Sequence, residues 1–360
     1  MPHASDNASS RASGNAPSRD ASTTPVLRLT ALRAPGGAPI SLDVAEGEIV
    51  SLLGPDSGSV VAMVAGLMRP QSGSVTLAGR SRPHPGRGMG VLIGPAALLP
   101  QRDLAGNAAL GGQDGAALLN ALDLSAVARF RPDVVTPAQA LLAALARALA
   151  ARPGLLLLDP DLGMLDAAER RDFLARVAVL RTARRFAVLH ATTAADDAWA
   201  FADRVAVLGP TGIRAVGPPR DLYARPPDAA TARALGPANL LPGTLRESDG
   251  EEAAVALAAG TVSAMADSGI APGNACLVLV RPEDVAVLPG AVPEGMPEGM
   301  GALPARVTAV RCHAGWNGVT LALAGGTILA HRPAAAPLPA VGEGCAIAWP
   351  ASRALVLRPE

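Results

Sequence analysis

The residues best placed to do chemistry stand at the ends of two apolar runs. Ile49–Leu53 leads into Gly54-Pro55-Asp56-Ser57-Gly58-Ser59, and four leucines, Leu155–Leu158, lead into Asp159. A glycine-bounded turn between a strand and a helix is where backbone N–H groups wrap phosphate oxygens. The working pattern G-x-x-x-x-G-K-[ST] adds a lysine for the β/γ oxygens and a hydroxyl for Mg²⁺. Here Gly58 is followed by Ser59, Val60 and Val61, and the chain contains no lysine at all. Asp56 further places a carboxylate near the position of a phosphate, and two like charges at ~5 Å and an effective dielectric of roughly 20 cost on the order of 3 kcal/mol. Gly54–Ser59 is therefore expected to be a strand-to-helix turn that keeps only a vestige of a phosphate site.

The elements that must position these residues alternate between strand and helix. Val26–Val44 alternates apolar and polar residues as strands do. Short buried strands are expected at Ile49–Leu53, Leu155–Leu158, Phe186–Leu189 and Arg204–Leu208, with a small strand and turn at Ser72–Arg80. Helices are expected at Val60–Leu67, Pro137–Ala151 and Ala167–Thr182. Strands alternating with helices argue for a parallel sheet covered on both faces. After Pro226-Pro227 the segments become short and strand-like, separated by Gly and Pro. Val319–Arg332 reads as a hairpin turning at Gly325-Gly326, Pro289–Gly301 reads as a loop, and the whole suggests a small β-barrel.

Composition limits the remaining possibilities. The most apolar region, Ala138–Leu158, is broken by Arg147, Arg152 and Pro153, so no stretch reaches the ~18 uninterrupted apolar residues of a membrane span. Lys+Arg and Asp+Glu are both 31, and this balance gives no charge-based reason to expect nucleic acid as a partner. Cys276, Cys312 and Cys345 are odd in number and lack metal-ligand spacing, which predicts reduced thiols and no metal site. Residues 1–24 hold no apolar core of the roughly 7–15 residues a secretory signal needs and are expected to be a disordered tail.

Taken in order, several segments are similar to those of the ATP-binding subunits of ABC-type importers. EGEIVSLLGP resembles the strand entering the phosphate loop, and AGLMRPQSGSVTLAGR resembles the segment after it. LARALAARPGLLLLD is similar to the helix and strand ending at the Walker B aspartate, and LGMLD to the D-loop. ADRVAVL and GPPRDLYARP resemble the end of the same domain. GPANLLPG and LVLVRPEDV resemble the TOBE barrel of the polyamine, ferric-iron and phosphonate group. The resemblance implies a P-loop NTPase-like ABC ATPase domain of α/β class over residues 25–230, with a helical subdomain at about 95–150. A small all-β, OB-like TOBE barrel would follow at 236–360. It also implies permease subunits as partners, a homodimer or a heterodimer with a related ATPase subunit, and a cytoplasmic position on the inner face of the cell membrane.

Carried over residue by residue, the resemblance assigns nucleotide contacts to Gly54, Pro55, Asp56, Ser57, Gly58, Ser59 and Asp159. With the helix kept in register through Ala65-Gly66-Leu67, about three residues are missing from the loop, those that would read Lys-Ser-Thr. The signature sequence falls at Val135 followed by Thr136, Pro137, Ala138 and Gln139, where Pro137 lacks an N–H. Asp166 falls in the D-loop. The glutamine that links site and permease falls on Gly94, with Gln101 seven residues on; the general base falls on Pro160, with Asp161 one residue beyond. The switch histidine falls on Thr193, and His190 reaches that role only with an insertion. The segment Ala34–Gly37 offers no aromatic residue for adenine, and the stretch from Gly94 to Val135 looks about one helix short.

These departures fall on both halves of a composite site that two chains would share. They lead to the expectation of a non-hydrolysing, transporter-associated or regulatory subunit, with no catalytic residue and no cofactor. Two alternatives stand beside it: an active subunit using ATP and Mg²⁺ to energise uptake of a small solute, and a ligand- or protein-binding module built on the barrel.

Overall fold

In the computed structural model, the residues described are 24–81, 88–94, 96–160, 162–266, 269–294 and 299–359. The tail expected at 1–24 lies almost wholly outside them, as does Asp161.

The first unit contains β1 (Leu27–Arg33), β2 (Ile40–Val44), β3 (Ile49–Leu53), β4 (Ser72–Leu77) and β5 (Arg80–Ser81). It continues with β6 (Met89–Gly94), β7 (Leu155–Pro160), β8 (Ala187–Thr192), β9 (Arg204–Gly209) and β10 (Gly212–Gly217). Its helices are α1 (Ser57–Ala65), α2 (Leu104–Ala109), α3 (Gly115–Ala121), α4 (Pro137–Leu149), α5 (Ala167–Arg184), α6 (Ala195–Phe201), α7 (Pro219–Ala224) and α8 (Ala229–Ala234). The central sheet has the order β10-β9-β3-β8-β7-β6, parallel from β9 to β6. A smaller antiparallel sheet, β2-β1-β4-β5, packs beside it.

The run of leucines shows why this sheet is read so easily from sequence. Leu156 and Leu158 enter the core shared with α4 and α5, whereas Leu155 and Leu157 enter the core shared with α1, β1 and β2. Side chains alternate across a strand, so a strand covered on both faces needs apolar residues at every position. α1 starts at Ser57, three residues before the expected Val60, so the loop tightens into helix almost at once. It ends at Gly66, whose φ of +77° suits a residue without Cβ.

The second unit holds β11 (Asn239–Ser248), β12 (Glu252–Leu257), β13 (Gly260–Ala266), β14 (Ala275–Val280) and β15 (Ala286–Pro289). β16 (Met300–Cys312), β17 (Trp316–Leu323), β18 (Gly326–Pro333), β19 (Gly344–Pro350) and β20 (Ala354–Leu357) complete it. β11-β12-β13-β20-β14 close into a barrel, and β15-β19-β16-β17-β18 form a sheet against it around the fully buried Trp349. The β17–β18 turn is one residue earlier than expected: Leu323 pairs with Gly326, leaving Ala324-Gly325 as the turn.

One arginine fastens the two units. Arg281 is buried, and its guanidinium donates to the carbonyls of Ala232 and Pro237 through Nη1 and of Tyr223 through Nη2, each at 3.0 Å. It also lies 3.7 Å above the Tyr223 ring, and the Tyr223 hydroxyl donates to Glu283 at 2.6 Å. Among the described residues, no helix is long and apolar enough to cross a membrane.

Candidate phosphate cleft

Because β3, β7 and β8 run parallel, their carboxyl ends open on one edge of the sheet, where ligands of such sheets sit. The turn after β3 is tied to the end of β8: the Gly54 amide donates to the Thr192 carbonyl at 3.0 Å, and the Ser57 hydroxyl donates to the same oxygen at 3.4 Å. A cleft of about 420 Å³ lies here, lined by Ser57, Gly58, Asp159, Arg170, Thr193 and Asp197 among others.

Gly58 and Asp159 meet at the floor of the cleft. A Cβ on Gly58 would lie 2.7 Å from Asp159 Oδ2. Gly58 therefore occupies the position facing the strand-end carboxylate and brings neither a hydroxyl nor any other side-chain oxygen to it. Burial pushes the Asp159 carboxyl above the usual carboxylate range. The first amides of a helix have no intrahelical partner. In α1, Ser57 N–H bonds the Gly54 carbonyl and Val60 N–H bonds the Asp56 carbonyl, which leaves the amides of Gly58 and Ser59 open among the described residues.

The opposite wall comes from α5 and α6. Arg170 Nη1 lies 3.9 Å from Asp197 Oδ2, at the outer limit of an ion pair, and Arg170 Nε is buried without a hydrogen-bond partner. Burial raises the Asp197 carboxyl, against the opposing pull of Arg170. His190 also lines the cleft, but its ring is buried, Nδ1 sits 2.9 Å from Ser51 Oγ, and burial drives its pKa down to about 3. It is a neutral core histidine. Arg170 is thus the one permanent cation among the described residues lining the cleft.

The other sequence assignments disperse. Asp56 lines a second cavity of about 410 Å³, on the Ala34–Ala38 side of the turn, with Met63 and Met68. Asp56 does not line the cleft that holds Asp159 and Arg170. The Thr136 hydroxyl accepts from Gln139 N at 3.2 Å, and Gln139 Oε1 accepts from Thr136 N at 3.0 Å, a reciprocal cap at the start of α4 with Pro137 and Ala138 in its first turn. Asp166 caps α5 in the same way with Glu169. Gly94 ends β6 with φ +68°, a backbone conformation that would strain a side chain there, and Gln101 is exposed in the turn before α2. The sequence pattern did not single out Arg170 or Asp197, and Arg170 sits in the charged AAERRDF run at the start of α5.

The residues on this edge fit the phosphate end of a nucleotide with Mg²⁺ in part. Asp159 is an oxygen ligand of the kind that cation takes, and the open Gly58 amide and the Arg170 guanidinium are donors for phosphate oxygens.

Comparison with known proteins agrees. The family profile described as ABC transporter matches residues 38–160, and that described as TOBE domain matches 278–357. The chain is 32% identical over 342 residues to the spermidine/putrescine import ATP-binding protein PotA of Rubrobacter xylanophilus, covering 88% of each chain. It is 36% identical over 273 residues to the Fe(3+) ions import ATP-binding protein FbpC of Streptomyces coelicolor, covering 69% of this chain and 74% of that one. The fold is similar to that of cbiO1 from Clostridium perfringens, part of the transporter complex cbiONQ, with a TM-score of 0.50 at 15% identity over 56% of this chain and 91% of the other. The expectation of no cofactor is overturned by these findings. The similar import proteins are ATP-binding, and the matched ABC region takes in both Gly54–Ser59 and Asp159.

Proposed function

The chain belongs to the family of ABC importer ATP-binding subunits that carry a C-terminal TOBE domain, and on that premise we propose that it holds Mg·ATP without cleaving it, as a regulatory or auxiliary subunit of an importer of a small solute. Its place would be the cytoplasmic face of the membrane, on permease subunits and paired with itself or a related ATPase subunit. Polyamines and ferric iron are the solute classes that its relatives suggest.

The observation that carries this reading is the lining of the Asp159 cleft. Binding groups are there: one carboxylate for the metal, one guanidinium and the open amide of Gly58. Mg²⁺, held by Asp159, would neutralise phosphate charge when bound. At the positions where the family carries the groups that move a proton from attacking water, this chain has other residues. The residue after Asp159 is Pro160, the residue after Thr192 is Thr193, and His190 is held neutral inside the sheet. Loss of a positioned base costs about 10²–10⁴ in rate. Gly58 adds to the deficit by leaving the metal one protein oxygen fewer.

ATP turnover by the purified chain, alone and with its permease pair, tests this. The expected rate equals that of the Asp159→Asn variant. Turnover that Asp159→Asn abolishes would overturn the reading. Recovery of the permease with the chain is expected, and a chain that never associates with membrane subunits speaks against the auxiliary role. A second reading, active hydrolysis, gains support from Asp197, a mostly buried carboxylate on the cleft wall whose pKa is raised. In that case Asp197→Asn would abolish turnover.

A further inference from the structure

Every nucleotide triphosphate needs positive charge at its phosphate end, and this chain has no lysine to provide it. The turn Gly54–Ser59 carries no cationic side chain either. We propose that Arg170, reaching from the first turn of α5, supplies that charge and binds the terminal phosphates of the nucleotide. This rests on the nucleotide-binding reading above and names the residue that makes it work.

Three observations carry it. Arg170 lines the same cleft as Asp159, Ser57 and Gly58. Its Nε is buried without a partner, a state that costs free energy and is rare unless something else occupies the site. Its only ion-pair contact among the described residues, with Asp197, is 3.9 Å, too long for a hydrogen bond. A guanidinium presents five donors in a planar fork that matches two oxygens of one phosphate, so the unused donors of Arg170 suit a phosphoryl group better than a single distant carboxylate. The residues around it leave the space: Gly163, Thr193 and Ala194 are small. Arg171, the next residue along α5, is exposed, so the inward position belongs to Arg170 by the rotation of the helix.

The competing account is that Arg170 and Asp197 merely tie α5 to α6. Calorimetric titration of the full chain with Mg·ATP and with Mg·ADP, in low and high salt, separates the two, using Arg170→Gln, Arg170→Lys and Asp197→Asn with a melting curve for each. The proposal expects Arg170→Gln to weaken ATP binding on the order of 10–100-fold. Arg170→Lys should fall between, and Asp197→Asn, which frees the guanidinium, should bind at least as tightly as the unaltered chain. Salt should weaken the unaltered chain more than Arg170→Gln. Equal affinity in Arg170→Gln and the unaltered chain would overturn the proposal while leaving the nucleotide-binding reading intact. Parallel losses of melting temperature and affinity in Arg170→Gln and Asp197→Asn would overturn it in favour of the structural tie. An unaltered chain that binds no ATP would overturn both readings. Should Arg170→Gln not fold, Arg170→Lys against Asp197→Asn gives the same decision.

Discussion

Gly58 lies so close to Asp159 that a methyl group on its Cα would stand 2.7 Å from a carboxylate oxygen. The first turn of α1 and the end of β7 thus touch with nothing between backbone and carboxylate. Gly58→Ala gains about 0.5–1 kcal/mol of helix propensity and must turn Asp159 aside, so overall stability should move by less than about 1 kcal/mol. The effect appears in the metal instead: Mg²⁺ should no longer strengthen ATP binding. Calorimetry with and without Mg²⁺ checks this, and an unchanged metal dependence in Gly58→Ala contradicts it.

Asp159 carries a linked pH signature. Burial raises its carboxyl above the unfolded value, so the fold prefers the protonated form. Its ionised form costs stability above the raised value, and that cost is absent below the ordinary carboxylate pKa of about 3.9. Without Mg²⁺, Asp159→Asn should melt higher than the unaltered chain at neutral pH, and the difference should close near pH 4. A difference that persists in acid would show that charge is not its cause.

His190 gives the opposite slope. Its folded pKa is depressed to about 3, so stability is complete above the unfolded value of about 6.5 and falls as pH drops below it. Between pH 7 and pH 5 the loss should be about 2 kcal/mol by urea unfolding. Ser51→Ala leaves Nδ1 without its partner at 2.9 Å and should cost about 1–3 kcal/mol at pH 7. A flat pH profile would mean that the imidazole is solvated.

The seam rests on Arg281. Arg281→Met removes the bonds to the Ala232, Pro237 and Tyr223 carbonyls and the contact with the Tyr223 ring. The expected cost is on the order of 3 kcal/mol, with unfolding split into two transitions as the barrel separates from the first unit. A single transition at an unchanged midpoint would refute this.

The parallel sheet was legible because Leu155–Leu158 and Ile49–Leu53 are apolar at every position, a pattern that reports burial on both faces without knowledge of the neighbours. β6 and β10 were not, being glycine-bounded and partly exposed. In the site, Asp159 and the Gly54–Ser59 turn were legible as the ends of those strands. Arg170 was hidden for a physical reason. Two adjacent arginines on a charged helix look alike in sequence, and only the rotation of α5 against α6 makes Arg170 half-buried and leaves Arg171 in solvent. The start of α1, three residues before the expected Val60, was hidden because helix starts are the least readable part of a helix.

On the proposed function, the cleft retains Mg·ATP and does not cut it. The most direct measurement is the chemical identity of nucleotide recovered from the protein after long incubation with γ-labelled ATP and Mg²⁺ and removal of free ligand. Intact ATP, with the label still attached, is the predicted result. Bound ADP with released labelled phosphate, in amounts that Asp159→Asn abolishes, would contradict it.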